Sequence, residues 1–189
     1  MQKRRHKKIS IKNYGLHIGK HQQKFSLNVW GGIVGDQLLG PIFLPNALNG
    51  DRYLEFLQTD FQDLLDDVPY IVRHEGYFMH DGAPPHFRRT VRDFLDELFP
   101  ERWIGRGGPI AWPPRSPDCN PLDFYVWGHV KSLVYATPVD SLEELRQRII
   151  AAFNQIRNTP GIFGRVRSSL RRRMEACIAA EGHHFEHFI

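Results

Sequence analysis

The chain has 189 residues, 41% of them hydrophobic, which is enough apolar material for a packed core and excludes disorder throughout. No apolar run approaches the roughly 18 to 20 residues that span a bilayer, and Met1 leads into Gln-Lys-Arg-Arg-His-Lys-Lys rather than an apolar leader, so a soluble, non-secreted protein with no membrane partner is expected. The net charge of +4 is unevenly spread: residues 1–35 hold eight Lys or Arg and no Asp or Glu, which places +8 there and −4 on the remainder. A basic arm on a mildly acidic body suits a polyanionic partner such as DNA. The run from Lys3 to Lys8 reads as a nuclear-import or nucleic-acid patch, with a solvated, disordered arm over residues 1–24 as the plain alternative. Cys119 and Cys177 form no spaced pair, so they give no zinc pattern and read as small buried hydrophobes of a reducing compartment.

In chain order, "FSLNVWGGIV", the turn Gly35-Asp36 and "QLLGPIFL" predict a β-hairpin from Phe25. "NGDRYLEFLQTDFQDLLDDV" places Tyr53, Leu54, Leu57, Phe61, Leu64 and Leu65 on one face, predicting one amphipathic helix of about four turns. "GYFMH" (76–80) is short, aromatic and bounded by turn residues, so it reads as a buried strand. After Pro84-Pro85, "HFRRTVRDFLDELF" has helical spacing up to Pro100. The Gly- and Pro-rich segment from Glu101 to Pro121 excludes a helix and leaves room for a very short strand at 110–112. Asn120-Pro121 then caps a helix running towards Pro138. Ser141 and Glu144 open another in capping-box style, and a last helix from about Ile162 to Ala180 sets Val166, Leu170, Met174, Cys177 and Ile178 on one face. The sum is an α/β fold, a mixed sheet flanked by helices.

Two carboxylates stand out by position. Asp81 follows the strand at 76–80, at the edge where open α/β sheets bind ligands, and Asp123 lies in the first turn of the helix after Asn120-Pro121. Together they offer the anionic oxygens that a hard divalent ion prefers. Spacing alone is equally served by structural roles, a turn carboxylate bonding its own backbone and an acid at a helix N-terminus facing the dipole.

The blocks "HDGAPPH" (80–86) and "WIGRGGPIAWPPRSPDCNPLDFYVWG" (103–128) resemble the second and third catalytic blocks of mariner-type transposases of the DDE superfamily. The hairpin with "NGDRYLEFLQ", and the tail "SLEELRQRII…RVRSSLRRRMEACIAAEGHHFEH", are similar to that family as well, so the resemblance covers about residues 25–189. It implies a ribonuclease-H-like catalytic domain, three acids holding Mg²⁺ or Mn²⁺, and cutting and joining of transposon-end DNA by water or a 3′-hydroxyl. Asp81 matches the second acid and Asp123 the third. Asp118 matches a loop position. The 41 residues between Asp81 and Asp123 are more than in many mariner relatives.

One departure from the family is plain. The first acid belongs on a strand upstream of the hairpin, and residues 1–35 contain no Asp or Glu; Asp36 sits in ordinary turn chemistry. The expectation is therefore a partial catalytic domain over 25–189 that lacks its first, central strand, with only a weak candidate for that strand in "ISIKNYGLHI" (9–18), and without the family's amino-terminal DNA-binding region. Such a chain is expected to be nuclear, inactive in strand transfer by itself, and able to form a homodimer. A non-catalytic nucleic-acid-binding module or a transposon relic is the alternative. His86, Arg165, Arg167, Arg171, Arg172 and Arg173 are candidate nucleic-acid contacts, the arginines having the solvated face of a helix as their plain reading. His183, His184 and His187 have metal-ligand spacing but no orienting partner.

Overall fold

The computed structural model describes the backbone of residues 8–10 and residues 25–113 and 116–181 in full. The chain divides into two compact units, each assembled from separate stretches. Gly40–Pro114 and Asp140–Leu142 join Met1–Trp30 in the first, and Gly31–Leu39 and Arg115–Val139 join Glu143–Ile189 in the second.

The first unit opens on strand β1 (Lys8–Ser10), antiparallel to the start of strand β2 (Ser26–Val34), with Ile9 opposite Leu27. Strand β3 (Gln37–Leu44) completes the hairpin expected around Gly35-Asp36. Part of the weak candidate 9–18 is thus a strand; the rest of that stretch, with most of the basic arm and the histidines at 183, 184 and 187, lies outside the described residues.

The single helix expected after Asn49 is two. Helix α1 (Gly50–Gln58) starts on the Asn49 side chain, which accepts the Arg52 N–H at 2.9 Å, and is separated from α2 (Asp60–Asp66) at Thr59. Thr59 leaves helical geometry (φ −118°, ψ −97°) while its hydroxyl donates to the Glu55 carbonyl at 2.8 Å, the back-bonding that bends or ends helices. A short helix α3 (Tyr70–Glu75), not anticipated, follows Pro69. Strand β4 (Phe78–Met79) is shorter than "GYFMH" predicted, and pairs in parallel with β5 (Trp103–Gly105), which in turn pairs with β6 (Ile110–Ala111). Helix α4 (Arg89–Leu98) follows a 3-10 turn over Pro84–Phe87. The described strands form two sheets, β1-β2-β3 and β4-β5-β6, rather than one continuous sheet.

The core of this unit is aromatic. Tyr53, Phe56, Leu57, Phe61, Val91, Leu95 and Trp103 are almost fully buried, each contributing roughly 1.5–3 kcal/mol by transfer out of water. Phe78 stacks on Phe99 at 5.4 Å, Phe61 meets Phe78 edge-on at 5.5 Å, and the Trp103 indole donates to Asp96 at 2.7 Å.

The second unit is mainly helical. A π-helical turn (Leu122–Val126) leads into α5 (Trp127–Val134), followed by α6 (Leu142–Arg157) and α7 (Ile162–Ala179). Helix α6 buries Leu145, Ile149, Ala152, Phe153 and Ile156, the one-sided spacing of an amphipathic helix. Arg148 fastens the preceding loop by donating to the carbonyls of Val134, Thr137 and Pro138 at 2.8–2.9 Å. On α7 the expected face holds for Val166 and, half-buried, for Leu170, Met174 and Cys177, but Ile178 is 77% exposed. Cys119 is buried, and both thiols are free. No helix among the described residues is long and apolar enough to cross a membrane.

Candidate active site

Asp81 stands two residues past β4, where the parallel pairing ends with the His80 N–H donating to the Ile104 carbonyl at 3.0 Å. The Gly-Ala-Pro-Pro turn then folds back on it. Asp81 Oδ1 accepts the Ala83 N–H at 3.0 Å and lies 2.9 Å from His86 Nδ1, which is also 3.0 Å from the Asp81 carbonyl. A nitrogen facing two oxygen acceptors carries its proton, so Nδ1 is the donor. Both side-chain contacts land on Oδ1, and the carboxylate is 39% exposed, so Oδ2 keeps its acceptor capacity. Partial burial pushes the Asp81 carboxyl up, but the hydrogen bond and charge of His86, the Ala83 N–H and, least of all, the nearby His80 outweigh it and bring the group down to about 2. It is a carboxylate throughout the neutral range.

Beneath it lies a layer that pattern reading does not reveal. His80 is 7% exposed and stacks on His86, ring centroids 4.6 Å apart and planes 5° from parallel. Tyr53 packs on His86 at 4.4 Å, and its hydroxyl is 3.4 Å from His80 Nδ1. Trp103 meets His80 edge-on, and a Cβ on Gly105 would fall 2.6 Å from the His80 ring, so glycine is required for this approach. Burial first, then the neighbouring His86, holds His80 well below the usual imidazole range, and burial likewise raises the Tyr53 phenol. Both are neutral, and they fix the ring that fixes Asp81. The sequence signal was available in "HDGAPPH", whose two histidines flank the acid, but nothing in the spacing announces that they stack.

Asp123 is placed by a backbone turn centred on Asn120. Asn120 accepts the N–H groups of Asp123 (2.8 Å) and Phe124 (3.0 Å) on its carbonyl and that of Leu122 (3.1 Å) on its side chain. This is the cap expected of Asn120, but the first turn is π-helical, a form often found at functional sites. Asp123 is half-buried in that turn. Asp118 lies in a 3-10 turn, where its carboxylate takes the Arg173 guanidinium at 2.6 Å, and Arg173 also covers the Phe124 ring at 4.5 Å. The loop position thus has a structural partner, reached across 55 residues of sequence.

The remaining candidates differ in availability. Arg173 is engaged as described, Arg167 is tied to the Gly35 carbonyl (2.7 Å) and Asp36 (2.8 Å), and Arg165 reaches the Pro160 carbonyl. Arg171 and Arg172 are exposed. Among the described residues no group of three or more His, Cys, Asp or Glu could hold a metal ion. Asp81 by itself is suited to supply one anionic oxygen to a hard cation, through Oδ2, but the described residues do not make up a complete ligand set.

No family model matches the chain. It is, however, 26% identical over 130 residues to the transposable element Tc3 transposase of Caenorhabditis elegans, a match covering 68% of this chain and 36% of that protein. It is also 27% identical over 114 residues to the mariner Mos1 transposase of Drosophila mauritiana, covering 60% of this chain and 30% of that one. The chain is a homologue of mariner-type transposases. Solved structures agree: the Mos1 mariner paired-end complex with Mn superposes with a TM-score of 0.64 at 27% identity, over 92% of this chain and 48% of the other. The Mos1 paired-end complex with left transposon end gives 0.60 at 25% identity, and the Mos1 strand transfer complex 0.63 at 26%. The chain spans about a third of the length of the curated relatives it matches and about half of the solved chains.

Proposed function

We propose that the chain is a partial catalytic region of a DDE-superfamily transposase, built on a ribonuclease-H-like plan over residues 25–189, that engages transposon-end DNA. In this reading Asp81 and Asp123 are the second and third acids and the ligands of Mg²⁺ or Mn²⁺. The bound ions would stabilise charge on the attacking and leaving oxygens of a phosphodiester. The observation that carries the reading is the state of Asp81: a carboxylate at a strand end, brought to a pKa of about 2, with one oxygen locked by His86 and Ala83 and the other open. The likeness to Mos1 complexes that contain Mn and transposon-end DNA supports the cofactor and the partner.

The first acid has no counterpart in residues 1–35, so the 189-residue chain by itself has no strand-transfer activity in this reading. A nuclear location and a homodimer belong to the same proposal. Calorimetric titration with Mn²⁺ tests it: the parent chain binds, and Asp81→Asn and Asp123→Asn each abolish the heat. Identical behaviour of all three proteins defeats the metal assignment, and strand-transfer product from the parent chain defeats the assignment of a missing acid. The second reading, a DNA-binding module without catalysis, rests on the exposed Arg171 and Arg172. It predicts DNA affinity that is indifferent to Mn²⁺.

A further inference from the structure

Next to Asp81 is a pair of arginines that no sequence motif marks. Arg106 and Arg92 both lie over the ring of Phe87, their guanidinium carbons 4.1 and 4.8 Å from its centroid. Phe87 is itself 37% exposed, Arg106 is exposed and Arg92 half-buried, so the ring and the Arg106 guanidinium are at the surface. Gly107 (φ +77°) makes the arrangement possible, since a Cβ there would fall 3.0 Å from Phe87 and 3.1 Å from Arg92. A Cβ on Gly82, the residue after Asp81, would be 3.6 Å from the Arg106 stem and 4.0 Å from the Trp112 indole. Arg106 and Trp112 therefore line the same edge as the carboxylate.

What distinguishes the pair is its missing anion. On the same side of the fold Arg88 pairs with Asp51 and Arg89 with Asp93, whereas Arg92 and Arg106 have no carboxylate partner among the described residues, and Arg92 Nε is buried without a hydrogen-bond acceptor. Two like charges collected on one ring repel each other, and the cation–π attraction to Phe87 offsets only part of that. A bound anion removes the repulsion and occupies donors that the protein leaves unused. Planar guanidinium forks match phosphate oxygens, and aromatic rings interleaved with arginines form the surface on which nucleic-acid strands lie.

We infer that Arg92 and Arg106, held on Phe87 beside Trp112, form a phosphate-binding site for the DNA strand that passes Asp81. This rests on the proposed DNA partner but not on the metal assignment. Each arginine neutralises one backbone phosphate, so each adds roughly 0.7 to 0.9 to the slope of log affinity against log salt, depending on whether the strand is single or paired.

The test is fluorescence anisotropy of the full chain with labelled single-stranded and duplex oligonucleotides of arbitrary sequence, without divalent ions, across a salt series. Arg106→Gln and Arg92→Gln are expected to weaken binding by about three- to tenfold each and to lower the slope by about 0.7 to 0.9 each, irrespective of sequence. Arg106→Lys, which keeps the charge, should restore most of the slope. If the double glutamine variant, folded by circular dichroism, keeps the parent slope, or if the parent binds neither oligonucleotide at low salt, the inference is overturned. The two readings fail separately: loss of slope in the arginine variants with Mn²⁺ binding indifferent to Asp81→Asn leaves this site standing and removes the metal assignment. An unchanged slope with Mn²⁺ binding lost in Asp81→Asn does the reverse.

Discussion

Asp81 and Asp123 are two carboxylates prepared in different ways. Asp81 is conditioned by chemistry: a histidine holds one oxygen, a stacked neutral histidine and a buried tyrosine hold that histidine, and the resulting carboxyl titrates near 2. Asp123 is conditioned by geometry, three N–H groups converging on Asn120 to fix a π-helical turn, with the Asp118–Arg173 pair and Phe124 bracing the loop around it. A strand end leaves side chains free to be arranged, whereas a helix start satisfies its donors first and presents the acid as a consequence. Substitutions should therefore disturb the first site through neighbouring rings and the second through the backbone.

The largest effect is expected from Trp103→Ala, which empties a fully buried indole site against His80 and strands the Asp96 carboxylate; a loss of about 3–5 kcal/mol should appear in the urea midpoint. Arg173→Ala probes the other region. It leaves Asp118, whose side chain is only 23% exposed, without its cation and uncovers Phe124, costing about 1–3 kcal/mol in thermal unfolding, with shifted backbone resonances from Asn120 to Phe124.

A smaller effect separates the two carboxylates by pH. Because the Asp81 carboxyl is depressed from 3.8 to about 2 in the folded chain, the associated stability is present above pH 4 and is lost as pH falls towards 2. With 39% of the side chain exposed, solvent screening reduces this contribution to about 1 kcal/mol. His86→Ala leaves only the Ala83 N–H and His80 to oppose burial, so the Asp81 carboxyl should titrate higher than in the parent chain by carbon NMR and the acid-unfolding limb should move to higher pH. The smallest effect is reserved for Asp36→Asn. Its bond to Arg167 joins two exposed side chains, and the change should cost less than about 0.5 kcal/mol and leave both sites intact.

Much of this was legible in the residues, and the rest for identifiable reasons was not. The hairpin, α4, α6 and most of α7 follow from apolar spacing, because each is long enough for a period to show. Strand β5 is three residues inside a Gly- and Pro-rich stretch, and its existence depends on pairing with β4, a partner that no local pattern reveals. The break at Thr59 turns on one side-chain hydrogen bond, which leaves the apolar spacing of α1 and α2 continuous. Asp81 and Asp123 were found by position and resemblance, yet the Tyr53–His80–His86 layer and the Arg92–Phe87–Arg106 group needed coordinates, because their members come from separate elements.

The hairpin has one more consequence. Its base, up to Trp30 and from Gly40, belongs with the first unit, while its tip, Gly31–Leu39, belongs with the second, and Asp140–Leu142 returns to the first after the second has begun. No contiguous piece shorter than residues 1–142 holds the whole first unit, and none shorter than 31–189 holds the whole second. A fragment cut from this chain to carry one unit would therefore carry part of the other with it.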